Sequence, residues 1–160
     1  MEQSDFSKAV ARNNHRLFLL AMSFTKNHAD AEDILQDTFL KLWTYPRAFE
    51  SEAHMDKFLT CVCANLCRNL LRSPFRKRRT SAEEALSLYS FDSPQDQDLF
   101  RAVMALPARE RTVVHLFYYE DMPVREIAAT LHIGQSAVKT ALHRARNHLK
   151  EFLKEDGDHA

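Results

Sequence analysis

Glycine is almost absent from this chain, and its scarcity restricts the folds that the chain can adopt. The 160 residues include only two glycines, Gly134 and Gly157. Folds rich in β-strands need many tight turns, and glycine supplies the backbone conformations that such turns require. Because 45% of the residues are hydrophobic, the chain can still bury a core. The sequence therefore predicts an all-α protein.

The length of the chain suits one ordinary domain or two small ones. Charged residues interrupt its apolar stretches, and none of these approaches the roughly 18 residues that a membrane-spanning helix needs. The amino-terminal sequence MEQSDFSKAV is polar and acidic, unlike a secretory signal. We expect a cytoplasmic protein.

A net charge of zero conceals segments of opposite sign. Between Lys57 and Arg79 the chain has seven Lys or Arg residues and no acid, whereas residues 30–37 contain four acids. A second basic segment, from Arg125 to Lys150, contains the single acid Glu126. The sequence thus predicts two basic surfaces, which suit the phosphates of a nucleic acid, and one acidic surface.

Apolar residues at helical spacing predict three helices in the first half, at about residues 5–26, 28–43 and 53–72. Asn27 and Ser51 are the expected caps of the second and third helices. The residues expected to face inward are Leu17, Leu20, Ala21 and Phe24, then Ile34, Leu35, Thr38, Phe39 and Leu42, then Phe58, Leu59, Val62, Leu66 and Leu70. Together the three helices predict one compact unit, residues 1–73.

Residues 74–98 are polar and charged and contain two prolines, which favours a flexible linker, with a short helical turn at 82–88. Apolar periodicity then returns and predicts a second helical unit at 99–154. The last residues, 155–160, are expected to form a disordered tail. The prediction is two small helical domains joined by a linker.

The sequence PVREIAATLHIGQSAVKTALHRAR is typical of a helix-turn-helix. Gly134 is expected to take a positive φ in the turn, and the second helix would then enter the major groove of DNA. Its first residues would face bases, and its later cations would suit phosphates. The outward residues are Gln135, Ser136, Lys139, Thr140, His143, Arg144 and Arg146.

Three cysteines lie close together in the sequence CVCANLC, as Cys61, Cys63 and Cys67. An odd number in a chain expected to be cytoplasmic argues against a disulfide framework. Cys63 and Cys67 share a helix face, and we interpret them as small buried hydrophobic residues. A metal or redox site that also uses His54 is the alternative.

The two halves resemble a known family. The sequences ADAEDILQDTFLKLW and FLTCVCANLCRNLLR, with an aromatic loop between them and a basic tail after, resemble the sigma-2 domain of extracytoplasmic-function (ECF) sigma factors. The sequence LPARERTVVHLFYYEDMPVREIAATLHIGQSAVKTALHRARNHLKEFL resembles their sigma-4 domain. The resemblance covers about residues 5–153, in the order that the family has.

The resemblance implies an alternative sigma factor that binds core RNA polymerase, recognises the −10 and −35 promoter elements and promotes transcription initiation in bacteria. Such proteins are not enzymes and need no cofactor, metal or small-molecule substrate. The resemblance also implies a dedicated anti-sigma factor, often membrane-bound in this family, which would hold the protein at the membrane.

The resemblance assigns roles to particular residues. It assigns polymerase docking to Asp33, Gln36, Asp37 and Lys41. It assigns −10 recognition to Phe49, Phe58, Asn65, Arg68, Arg72 and Arg76. It assigns recognition of the −35 element to the outward residues of the last helix. The chain departs from the family where Phe58 replaces a common tryptophan. It departs again at Thr140 and Ala141, where serine-arginine is commoner, which leaves His143 and Arg144 to compensate.

Two alternatives to a sigma factor remain at this point. A stand-alone helix-turn-helix regulator would use only the last two helices, and it predicts a dimer that binds a palindromic site. A metal- or redox-sensing protein would use the three cysteines. An enzyme has little support, because the sequence contains no glycine-rich phosphate loop and no acid–base constellation.

Overall fold

A computed structural model of the protein describes residues 1–72 and 93–158, with side chains up to residue 154. These residues form seven α-helices and no β-strand, which confirms the all-α prediction. The helices are α1 (Gln3–Thr25), α2 (His28–Trp43), α3 (Glu52–Arg72), α4 (Pro94–Met104), α5 (Ala108–Val114), α6 (Val124–Leu131) and α7 (Gln135–Asp158). A π-helical turn, His115–Tyr119, continues α5. The chain divides into two compact units, Met1–Ser81 and Ala82–Ala160.

In the first unit, α1, α2 and α3 each pack against the other two. The centre of this bundle is fully buried and includes Leu17 and Phe18 of α1, Leu42 of α2 and Leu59 of α3. Both predicted caps are confirmed. The side chain of Asn27 accepts a hydrogen bond from the backbone N–H of Asp30 at 2.9 Å. The hydroxyl of Ser51 accepts one from the backbone N–H of His54 at 3.0 Å.

The buried face of α3 differs from the predicted one. Of the five residues expected to face inward, Leu59 is buried, but Phe58, Val62, Leu66 and Leu70 are only half-buried. The face that packs on the bundle consists of smaller side chains around Leu59, namely Thr60, Cys63, Ala64 and Cys67. Small side chains at a helix contact let the helix axes approach closely, so packing selects this face over the bulkier one.

The second unit contains α4 to α7. Helix α4 begins at Pro94, inside the range 74–98 predicted as linker, because Ser93 caps it by accepting from the N–H of Asp96 at 3.1 Å. Proline suits the first position of a helix, so Ser93 and Pro94 together form a start signal in the sequence. Helix α7 runs to Asp158 and includes part of the predicted tail. The predicted turn at 82–88 lies outside the described residues.

The turn between α6 and α7 corrects one prediction about glycine. His132, and not Gly134, takes the left-handed conformation, with φ 56° and ψ 46°. Histidine is one of the residues that enter this region more readily than most. The carbonyl of Gly134 accepts the N–H of Val138 at 3.2 Å, so Gly134 serves as the start of α7.

Candidate functional site

Helix α2 exposes a polar face on the side turned away from the bundle. The four residues predicted to dock on polymerase all lie there, since their spacing of three or four residues places them on one side of the helix. They are Asp33, Gln36, Asp37 and Lys41, called the outer face of α2 below, and all four are exposed. The structure thus brings this predicted set together.

An apolar groove adjoins the outer face of α2. The Leu40 side chain is 60% exposed and Trp43 is 47% exposed, and the ring of Phe6 meets Trp43 edge-on at 5.1 Å between centroids. The groove, about 640 Å³ in volume, is lined by Gln3, Phe6, Val10, Gln36, Phe39, Leu40 and Trp43. The apolar spacing of α2 does not predict the groove, although Leu40 lies outside the stripe predicted to face the core.

Three aromatic rings cluster where the loop between α2 and α3 meets α3. Tyr45 stacks on Phe49 at 4.7 Å between centroids, and Phe58 lies 4.7 Å from Tyr45 and 5.2 Å from Phe49. All three are half-buried. The structure therefore joins Phe49 and Phe58, as predicted, and adds Tyr45, which the sequence analysis had not singled out. We call these three rings the aromatic cluster.

Helix α3 carries a stripe that runs from this cluster toward the end of the helix. Phe58, Asn65, Arg68 and Arg72 share one side, because their spacing of three, four and seven residues matches whole turns. Burial and the nearby charge of Arg72 lower the pKa of the Arg68 guanidinium from its ordinary value. Among the described residues no acid pairs with either arginine, so the stripe offers an anionic ligand two cations. Arg76 lies outside the described residues.

Helix α7 presents the residues predicted to read DNA on the side opposite its buried residues. Its buried side consists of Val138, Ala141, Leu142 and Ala145. The predicted residues Gln135, Ser136, Lys139, Thr140, His143 and Arg144 are all exposed. The helix-turn-helix therefore leaves this side of α7 open to a DNA groove.

Arg146, the last residue of that predicted set, already has a partner within the protein. Its Nε donates a hydrogen bond to the hydroxyl of Tyr118 at 2.8 Å. Its guanidinium lies 5.7 Å from the ring centroid of Phe117 and 5.8 Å from that of Tyr118, so both rings attract its charge. Arg146 thereby ties α7 to the π-helical turn.

The cysteines of α3 do not form an open site. Cys63 and Cys67 are buried, which confirms their interpretation as small hydrophobic residues, and Cys61 is half-buried. Burial and a hydrogen bond with Cys63 raise the pKa of the Cys67 thiol, which keeps it protonated and unsuited to binding metal. In residues 1–72 and 93–154 no group of three or more His, Cys, Asp or Glu side chains is placed to hold a metal ion.

Comparison with known proteins identifies the family. The family described as Sigma-70 region 2 matches residues 9–79, and Sigma-70, region 4 matches residues 96–149. The chain is 30% identical to the RNA polymerase sigma factor SigV of Bacillus subtilis, over 92% of this chain and 90% of SigV. The chain belongs to the sigma-70 family and is an ECF sigma factor. As an alternative sigma factor, it serves transcription initiation.

Two further similarities of this sigma factor support the assignment. It is 27% identical to the probable RNA polymerase sigma factor RfaY of Xanthomonas campestris pv. campestris, over 94% of this chain but only 41% of RfaY. Its fold matches the sigma factor RpoE, solved with the anti-sigma factor NepR from Bartonella quintana, with a TM-score of 0.64 and 26% identity. That match covers 94% of this chain and 97% of RpoE. None of the described helices is long and apolar enough to cross a membrane.

Proposed function

We propose that this sigma factor binds core RNA polymerase through the outer face of α2, the −10 element through α3 and its loop, and the −35 element through α7. The protein acts in the cytoplasm as a binding factor without catalysis, cofactor or small-molecule substrate. The observation that carries the proposal is the outer face of α2, where exposed acids adjoin an exposed apolar groove.

The outer face of α2 has the composition of a protein-docking surface. No basic side chain among the described residues pairs with Asp33 or Asp37, so both charges are available to steer a basic partner. Burying one leucine side chain on binding contributes about 1.5–3 kcal/mol, and Leu40 is mostly exposed. Trp43 is of the residue type that most often anchors interfaces. Charge would guide polymerase to this face, and the groove would hold it.

The α3 stripe suits a single strand of DNA with unstacked bases. The rings of the aromatic cluster offer surfaces on which bases can stack, as single-stranded DNA requires. The exposed amide of Asn65 can donate to and accept from the edge of a flipped base. Arg68 and Arg72 then contact phosphates further along the strand. Along α3, rings for base stacking are followed by a base-edge contact and then by phosphate contacts. This order supports a role for α3 in −10 recognition.

Helix α7 suits the major groove of duplex DNA. Gln135 and Ser136 lie at its amino-terminal end, the part of a recognition helix that meets base edges. Lys139 and Thr140 follow on the same open side, and Arg144 lies one turn later, where it can contact phosphate. Because Arg146 is held by Tyr118, we assign it mainly to fixing the pose of α7.

We further propose that an anti-sigma factor regulates this protein by covering surfaces that polymerase and DNA need. The support is the similar sigma factor RpoE, whose solved structure contains the anti-sigma factor NepR. An apolar groove beside a charged face, as on α2, suits a competing protein as well as polymerase. A membrane-bound anti-sigma factor would keep the sigma factor at the membrane until its release.

A pull-down with bacterial core RNA polymerase tests the docking proposal. The variant with Asp33→Arg and Asp37→Arg reverses both charges of the outer face and should lose at least tenfold in affinity, since like charges at an interface repel. Leu40→Ser should weaken binding by about tenfold through the groove, since it removes one large apolar contact. The wild-type protein should bind at micromolar concentration or below.

The control reverses two other exposed charges of the same unit. The variant with Glu50→Arg and Glu52→Arg makes the same change in net charge at the loop and the start of α3, and it should bind polymerase as the wild type does. Equal losses in both double variants would mean that net charge alone drives binding. No binding by folded wild-type protein would overturn the docking proposal.

A further inference from the structure

The loop between α2 and α3 closes on the side chain of His54. The Nδ1 atom of His54 accepts a hydrogen bond from the backbone N–H of Glu50 at 3.1 Å. In return, the backbone N–H of His54 donates to the hydroxyl of Ser51 at 3.0 Å. This pair of bonds resembles a capping box, in which a Glu or Gln three residues after the cap reaches back to a backbone N–H. Here a histidine occupies that position.

The same histidine contacts the aromatic cluster. Its ring meets Phe49 edge-on, at 5.4 Å between centroids and an angle of 74°. Phe49 in turn stacks on Tyr45 and contacts Phe58. His54 therefore links the first turn of α3 both to the backbone of the loop and to the rings that the loop carries.

We propose that His54 is a positioning residue that holds the 45–50 loop and the aromatic cluster in the arrangement that captures −10 DNA, and that it does so only as the neutral imidazole. This inference rests on the proposed function of the α3 stripe. It identifies His54 as a residue that controls that site. His54 itself need not touch DNA, because its two contacts fix the loop that does.

The requirement for a neutral ring follows from the direction of the hydrogen bond. An imidazole nitrogen accepts a hydrogen bond only without a proton, so Nδ1 is the acceptor and Nε2 carries the hydrogen. A proton on Nδ1 would turn this nitrogen into a donor that faces the N–H of Glu50, which is also a donor. The hydrogen bond would then break. The loop should therefore loosen when the ring is protonated.

The charged groups near His54 lie on the loop, on α3 and on α1. The loop contributes Glu50 and Arg47, and α3 contributes Glu52 and Lys57, all near His54 along the chain. On α1, Arg12 lies across from the start of α3 and pairs with Glu52. Among the described residues no carboxylate forms an ion pair with His54.

Two variants separate positioning from mere stability. His54→Ala removes both the acceptor and the ring, whereas His54→Gln keeps an acceptor that can complete a capping box and gains no proton. With saturating core polymerase at pH 8, His54→Ala should form open promoter complexes about fivefold less well, as loss of a cap contact predicts. His54→Gln should remain within twofold of the wild type. All three should bind core polymerase equally.

The pH profile is the decisive readout. Open-complex formation by the wild type should fall as lower pH protonates the ring, relative to His54→Gln measured with the same polymerase and promoter. A wild-type profile parallel to that of His54→Gln would overturn the neutral-ring requirement. Full activity of His54→Ala would overturn the positioning role.

A spectroscopic measurement on the full chain without polymerase keeps this inference separate from the proposed function. Nitrogen-15 NMR of the His54 imidazole at pH 8 should show the hydrogen on Nε2, with the Glu50 amide signal shifting as His54 is protonated. A hydrogen on Nδ1 would overturn the inference whatever the protein does in transcription. If NMR shows the expected tautomer but wild-type protein forms no open complex, the proposed function fails and the −10 role of His54 fails with it.

Discussion

Asp56 of α3 receives side-chain hydrogen bonds from two residues of α1. Its Oδ1 accepts from Nη2 of Arg12 at 2.8 Å and from Nδ2 of Asn13 at 3.1 Å. Burial would raise the pKa of this carboxyl, but the bonds from Arg12 and Asn13 and the charges of Arg12 and Arg16 outweigh burial and hold the pKa below its ordinary value. The folded protein therefore favours the ionised Asp56.

The lowered pKa of Asp56 predicts how stability depends on pH. A carboxyl with a lowered folded-state pKa contributes stability fully above its unfolded pKa, near pH 4, and loses it as the pH falls through the folded value. Asp56→Asn should therefore destabilise the first unit at pH 7. The loss should be only about 1 kcal/mol, because the Asp56 side chain is 34% exposed and solvent screens its charge. The difference from the wild type should shrink at pH 3.

Urea unfolding followed by the fluorescence of Trp43, the single tryptophan, measures this difference in the first unit. The matched control is Asp33→Asn, which removes an exposed carboxylate of the same unit and should change stability little at either pH. A loss from Asp56→Asn that is as large at pH 3 as at pH 7 would show that the ionised carboxylate is not its source.

At the scale of single elements, the turn between α6 and α7 shows how a helix-turn-helix can form without a left-handed glycine. The N–H of His132 closes the last turn of α6 on the carbonyl of Ala128, and the N–H of Ile133 bonds the same carbonyl at 3.0 Å. Gly134 has no positive φ, and a Cβ added to it would meet no atom within 4 Å. The left-handed step therefore lies at His132.

This geometry predicts the effect of a side chain at position 134. Gly134→Ser should leave the protein as stable as the wild type or stabilise it by a few tenths of a kcal/mol, because serine caps a helix at least as well as glycine. His132→Gly should likewise stabilise or be neutral, since glycine accepts the left-handed conformation without a Cβ penalty. Thermal unfolding followed by circular dichroism measures both. A loss of 1 kcal/mol or more in Gly134→Ser would mean that glycine is required there.

On the scale of the whole molecule, two helical units on one chain each expose a surface suited to DNA. Neither the α3 stripe nor the open side of α7 is large, and each offers few cations, so either contact alone should be weak. Two weak contacts on one tethered assembly reinforce each other, because binding of the first raises the effective concentration of the second. Core polymerase would supply the assembly that presents both units to one promoter.

The tether predicts a large difference between the isolated protein and the holoenzyme. In a mobility-shift assay at one salt concentration, the chain alone should bind promoter DNA at least about 100-fold more weakly than the chain with core polymerase. Lys139→Ala, on the open side of α7, should weaken holoenzyme binding on a promoter with both elements by less than tenfold, since the other contacts remain. Tight, specific binding by the chain alone would contradict this dependence.

The sequence by itself determined the helical class, the three helices of the first unit and the helix-turn-helix, because apolar periodicity and caps such as Asn27 act within a few residues. It also predicted that Asp33 and Asp37 share an exposed face, since helical spacing alone places them together. Residues 73–92 contain Arg76, whose predicted role in −10 binding stays a prediction.

Tertiary structure decided what local patterns leave open. It placed Cys63 and Ala64, and not their bulkier neighbours, on the buried face of α3, because how closely two helices approach depends on the side chains of both helices. It created the groove at Leu40 and Trp43, which needs Phe6 from a helix distant in sequence, and it gathered Tyr45 and Phe58 into one cluster. It also gave Arg146 a partner in Tyr118. Such contacts join residues far apart in the chain, which no local periodicity encodes.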